Sequence, residues 1–202
     1  MPNYQMMMEA MLEEPGMEGK RLLLHSCCAP CSSHVLMLLR HKLRITVFYY
    51  NPNITDDTEY NKRVREQIRL IDELNRIDDG AFPIEVKIGD YVPEDFYAAV
   101  KGYEQCPEGG ERCFRCYALR LGEAVRMARD GGYDLVTTTL TISPLKKADK
   151  LNEIGMRLAD DAGVRYLPSD FKKKEGYKHS IELSQQYGLY RQDYCGCIYS
   201  KR

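Results

Sequence analysis

Eight cysteines stand at Cys27, Cys28, Cys31, Cys106, Cys113, Cys116, Cys195 and Cys197, in groups divided by long stretches that contain none. Thiols spaced as Cys-Cys, Cys-x-x-Cys and Cys-x-Cys point to metal binding or redox cycling, because buried thiols selected for shape have no reason to be neighbours. A disulfide framework requires an oxidising compartment. The first seventeen residues hold Met6, Met7, Met8 and Leu12 among Glu9, Glu13 and Glu14, with no basic or sustained apolar run, so they do not resemble an export signal. A reduced, cytoplasmic protein is expected.

Each group allows a particular chemistry. Two thiolates at the Cys113 and Cys116 spacing can grip one metal or two irons of a cluster. The adjacent pair Cys27 and Cys28 is awkward for tetrahedral zinc and reaches different irons of one cubane more readily, so the spacing favours a 4Fe-4S cluster over zinc. Cys195 and Cys197 flank Gly196; a disulfide between them would close a strained ring, and strained pairs cycle more readily than they brace. The other use open to them is a second metal beside the cluster.

The elements that must position these thiols alternate. Short apolar runs at Arg21 to His25, Ile45 to Tyr50, Pro83 to Ile88, Tyr133 to Leu140 and Val164 to Leu167 predict buried strands. Helical patterns lie at Ser32 to His41, Thr58 to Ile77, Cys116 to Arg129, Lys147 to Ala162 and Tyr177 to Tyr187. In the third of these, Leu119, Ala124, Val125 and Ala128 form the apolar stripe, and Arg120, Glu123, Arg126 and Arg129 are assigned to the wet face. The order predicts an α/β fold: a doubly wound, mostly parallel, Rossmann-like sheet with helices on both faces. At 202 residues without a linker, an N-terminal extension over 1–20 and one α/β domain over 21–202 are expected. No apolar run reaches membrane-span length, and a net charge of -1 places any basic surface locally.

Ligands of such sheets gather at the carboxyl ends of the strands. Cys27 and Cys28 follow the first strand, and Pro30 suits an early position in the next helix. The loop His25 to Ser33 has no glycine to let backbone amides wrap a phosphate, which argues against nucleotide binding there.

Several long motifs in one order then resemble the QueH-type epoxyqueuosine reductases: His25 to Cys31, Phe48 to Ile54, Cys113 to Leu121, Thr137 to Pro144, and Gly188 to Cys197. The resemblance runs from about Arg21 to Tyr199. It implies cobalamin-independent reduction of epoxyqueuosine at the wobble base of tRNA, with an iron-sulfur cluster on Cys27, Cys28, Cys113 and Cys116 and a redox-active pair at Cys195 and Cys197. A mononuclear iron beside the cluster and an external electron donor are expected partners of that chemistry. Cys31 is left between a second-metal ligand and helix-start packing, and Cys106 has no assigned role.

Proton donors are sought among Asp193, Tyr194, His25 and Tyr50, with Asp193 assigned to catalysis. Substrate contacts are expected from Tyr50, Asn51, Asn53, Ser143, Tyr190 and Arg191, with Lys146 beside them. Tyr49, Tyr50 and Tyr190 are available to stack on a splayed anticodon base. Lys172 to Lys174, Lys178, Arg191, Lys201 and Arg202 make the last thirty residues locally basic, as RNA phosphates would require. A zinc-stabilised RNA-binding module and a metal-free thiol-disulfide oxidoreductase are the rival readings.

Overall fold

The computed structural model describes residues 2–201. Arg202, counted above in the basic tail, lies outside them. In chain order the elements are α1 (Tyr4–Leu12), β1 (Arg21–His25), α2 (Ala29–Leu39), β2 (Arg44–Tyr49), α3 (Asp57–Asn75), β3 (Glu85–Ile88), α4 (Pro93–Val100), α5 (Glu111–Asp130), β4 (Leu135–Thr138), α6 (Ala148–Ala162), β5 (Arg165–Tyr166) and α7 (Gly176–Gln186). All strand pairings are parallel, in the order β3-β2-β1-β4-β5. The doubly wound α/β sheet expected from the alternating pattern is therefore present. The chain winds outward from β1 in one direction through β2 and β3, then returns to the other side of β1 as β4, so the switch point lies between β1 and β4.

Alternation along β1 distributes the core. Leu22 and Leu24 face a cluster with Leu36, Leu39 and Leu70 from α2 and α3, whereas Leu23 faces Ala124, Val125 and Ala128 of α5. Both sheet faces are thus covered, which explains why β1 and β2 read as continuous apolar runs. Met8 and Met17 join the first cluster, so residues before β1 are packed onto the sheet. The Asn3 side chain caps α1 by accepting from the Met6 amide at 3.1 Å.

Element ends differ from the expected ones by a few residues, and at two of them the difference bears on the site. The strand predicted over Tyr133 to Leu140 is paired only over Leu135–Thr138, because the Thr138 hydroxyl accepts from the Leu140 amide at 3.1 Å and starts a tight turn. The helix predicted from Cys116 begins at Glu111, two residues before the first thiol of its Cys-x-x-Cys. Among the described residues no helix is long and apolar enough to cross a membrane.

Candidate active site

The first thiol group sits at the switch point. After β1 the chain is extended through Cys28, the N-cap of α2, and Pro30 occupies the first turn. That turn brings Cys31 back, and the sulfurs of Cys27, Cys28 and Cys31 lie within 4.8 Å of one another. Buried partners hold the loop from three sides. Ser26 Oγ donates to Gln67 Oε1 at 2.7 Å, Asn51 Nδ2 donates to the Ser26 carbonyl at 2.9 Å, and the Cys27 amide donates to Thr139 Oγ1 at 3.4 Å across the switch point. Hydrogen bonds from Cys28 and Cys31 hold the Cys27 thiol well below its ordinary value, and the same contact with Cys27 pushes Cys28 up to about 12.

His25 supports this loop and is removed from the set of proton donors. Its Nε2 lies 3.2 Å from the Tyr50 carbonyl, which can only accept, so Nε2 carries the proton and Nδ1 accepts from Thr138 Oγ1 at 2.8 Å. Burial, aided by the charge of Arg120, depresses its pKa to about 3, and the ring stays neutral with both nitrogens engaged.

The second thiol group lies at the start of α5. Spacing of i and i+3 puts Cys113 and Cys116 on one helix stripe. They meet Cys195 and Cys197 around a narrow cavity of about 20 Å³, with Phe96 and Val100 of α4 behind. Burial pushes Cys116 up to about 11. A hydrogen bond from Cys197 holds the Cys195 thiol well below its ordinary value, supported by Lys146 and by Ser200, whose Oγ is 3.0 Å from the sulfur. The four thiols expected to share a cluster are thus distributed as Cys27 and Cys28 beside Cys31, and Cys113 and Cys116 beside the Cys195 and Cys197 pair. All eight cysteines are free thiols.

Two cations stand where these groups approach. Arg120, assigned from periodicity to the wet face, is instead 2% exposed. Its Nη2 donates to Asn51 Oδ1 at 2.5 Å, its Nη1 lies 4.0 Å from Cys116 Sγ, and its Nε has no partner among the described residues. Burial works against its charge, and the facing Cys116 and Cys27 thiols outweigh that, so its pKa is raised. The outer side of this turn is covered by the loop after β2 and by the segment around Cys195, partners no helical period can reveal. Arg120 does follow Cys116 by four residues, which placed it on the thiol stripe. Half-buried Lys146 lines both the narrow cavity and a larger one of about 370 Å³.

The C-terminal loop closes the site. Arg63 of α3, 2% exposed, donates to the Cys195 carbonyl at 3.2 Å and the Tyr194 carbonyl at 3.3 Å, and pairs with Glu59 at 2.6 Å. Asn53 Nδ2 donates to the same Cys195 carbonyl at 3.2 Å, and the Thr55 amide donates to the Gly196 carbonyl at 3.2 Å. Asp56 caps α3 by accepting from the Glu59 amide, which orients Arg63. Gly196 has φ +99°, and a Cβ there would lie 2.7 Å from Ile54 Cγ1.

The larger cavity collects Cys27, Cys31, Ser143, Arg191, Asp193 and Cys195 among its walls. Asn51 and Asn53 lie behind it or in the narrow cavity and hold Arg120 and Cys195. Tyr50 is buried with its hydroxyl 3.5 Å from Asp95, and the Tyr190 hydroxyl donates to Glu59 at 3.1 Å; neither lines the cavity. Tyr49 is fully buried, so neither Tyr49 nor Tyr50 presents a face to an RNA base; Tyr177 and Tyr194 are the cavity's aromatic walls. Thr139 Oγ1 lies 3.7 Å from Cys27 Sγ, whereas the Thr137 hydroxyl is spent on the Leu167 carbonyl. Cys106 lies outside both thiol cavities, its carbonyl accepting from Arg112.

A site of this kind, seven thiols and two cations at the carboxyl edge of a parallel sheet, can hold metal and pass electrons. A family model described as epoxyqueuosine reductase QueH matches residues 22–202. The chain belongs to that family. The QueH reductase of Streptococcus pyogenes serotype M1 is 37% identical over 202 residues, covering 99% of this chain and 78% of the relative. That of Staphylococcus aureus is 38% identical, covering 98% and 83%. That of Thermotoga maritima is 36% identical over 182 residues, covering 89% of each. The QueH family match takes in every cysteine and leaves α1 outside.

Proposed function

We propose that this QueH family member reduces epoxyqueuosine in tRNA to queuosine in the cytoplasm, without cobalamin, using an iron-sulfur cluster and the Cys195 and Cys197 pair. The observation that carries the reading is the convergence of thiols, Arg120 and Lys146 on one cavity at the switch point. Deoxygenating an epoxide breaks two C-O bonds and restores a C=C bond, consuming two electrons and two protons and releasing water. Closing the Cys195 and Cys197 dithiol to a disulfide yields the matching two electrons and two protons, and an external donor reopens it. The hydrogen bonds that lower the Cys195 thiol pKa favour the reactive thiolate. Lys146 and Arg120 stabilise negative charge developing on the departing oxygen, and Asp193 on the cavity wall conveys its proton. Ser143 and Arg191 contact the substrate from the same walls.

The donor set fits an iron-sulfur group: the ligands are all thiols, the Cys27 and Cys28 sulfurs lie 3.7 Å apart, and buried Arg120, facing Cys116 and Cys27, offsets thiolate charge. Cys27, Cys28, Cys113 and Cys116 would hold a 4Fe-4S cluster, which supplies electrons one at a time when bound. Cys31, the third sulfur of the triad, is available to an adjacent mononuclear iron. Anaerobic purification, iron and sulfide analysis, and nucleoside mass spectrometry of epoxyqueuosine-bearing tRNA test the reading. Brown, dithionite-bleachable protein that forms queuosine is expected. Colourless protein with stoichiometric zinc and no reduction of that tRNA would overturn it.

A further inference from the structure

A groove of about 850 Å³ lies beside the thiol cavity, and its lining is strongly cationic. Lys146, Lys147 and Lys150 enter it from the start of α6, and Lys172, Lys173 and Lys174 from the segment before α7. Against these six stand Glu9, Asp149 and Asp170, leaving +3 in a chain whose net charge is -1. Lys172 is paired with Asp170 at 2.6 Å, Lys174 with Glu9, and Lys150 with Glu153 at 2.6 Å. Lys146, Lys147 and Lys173 have no carboxylate partner among the described residues. The N-cap of α6 is Lys147, which makes no side-chain cap bond among the described residues, and Ala148 and Asp149 of the helix's first turn also line the groove.

Position decides what this charge serves. Lys146 lines the groove and the thiol cavity alike, so the two adjoin at this side chain. A base reduced in that cavity remains joined to its ribose, and the flanking phosphates must leave through an adjoining channel. A protein electron donor has no such constraint. The opposite wall is the start of α1, with Asn3, Tyr4, Gln5 and 64% exposed Met6. This wall precedes Leu22, where the family match begins.

We infer that the groove seats the phosphodiester backbone of the RNA strand flanking the modified nucleoside, with Lys146 at the junction and the start of α1 as the opposite wall. The inference rests on the reading of tRNA as substrate.

Fluorescence anisotropy of an epoxyqueuosine-bearing anticodon stem-loop, titrated across salt concentrations, tests it with Lys147→Gln/Lys173→Gln. Loss of two phosphate contacts lowers the log-log salt slope by roughly 1.4 and weakens binding on the order of tenfold at low salt. Met6→Glu, outside the family-matched segment, weakens binding several-fold. Lys87→Gln/Lys101→Gln removes the same charge elsewhere and leaves slope and affinity unchanged. Unaltered slopes in the groove variants, or an equal loss in the control, overturn the inference. So does unchanged RNA affinity accompanied by slower reduction by an acidic donor protein. Failure of the substrate reading shows separately, as wild-type protein that does not reduce the stem-loop, and the binding slopes still decide the groove.

Discussion

Replacing Arg63 by methionine tests how the loop carrying Cys195 is held. Arg63 and Glu59 have side chains only 2% and 12% exposed, with Nε and Oε1 2.6 Å apart. Removing one partner of a buried pair costs about 3–5 kcal/mol, because the remaining charge has lost its counterion. Here Glu59 would keep only the Tyr190 hydroxyl, at 3.1 Å, and the Tyr194 carbonyl would lose its guanidinium donor. For a domain of this size each kcal/mol moves Tm by about 2–4 °C, so a fall of roughly 6–20 °C is expected. The double variant Glu59→Leu/Arg63→Met removes both charges of the pair and recovers much of that loss. Urea denaturation of the four proteins of the cycle measures the coupling, and alkylation of Cys195 under native conditions reports loop opening directly. A loss below about 1 kcal/mol in the single variant, or a double variant no better than the single, would refute the argument.

Other expectations follow from the same site. Gly196→Ala combines a positive φ with a 2.7 Å approach to Ile54, so it accelerates Cys195 alkylation and lowers stability by about 1–3 kcal/mol, read by thermal denaturation. Cys195→Ser retains metal but loses multiple turnover, and normal steady-state activity would disprove its role in electron supply. His34 Nδ1 lies 2.9 Å from His179 Nδ1, and burial together with His179 depresses the His34 pKa to about 4. Between pH 6.5 and 4 the unfolded chain therefore binds the extra proton, and stability falls as pH drops through that window. The loss is about 1–2 kcal/mol after discounting for partial exposure, and urea midpoints against pH for His34→Gln should be flatter there.

The parts of the fold visible in the sequence are those governed by local period. β1 and β2 read as apolar runs because both faces are covered, and the α5 stripe from Leu119 to Ala128 follows from helical spacing. The short α4 was not legible: its burial of Phe96 and Val100 depends on the second thiol group and the chain's end. Arg63 and Arg120 were missed as site residues for a related reason. A charged residue is assigned to water unless its distant cover is known, and here that cover comes from residues 51–54 and 194–197. Cys31 needed the helix turn at Pro30 to show that three sulfurs, not two, converge.

The site's two ends are also separated in time. Cys27 and Cys195 lie 168 positions apart, and at about 5–20 residues per second the ribosome needs roughly 10–30 s to deliver the loop that covers the first sulfurs. Within that interval the partners that hold the triad's loop arrive in turn, Asn51, then Gln67, then Thr139, and Cys195 follows them. Synthesis order thus delivers the triad first and the loop that walls the chamber last.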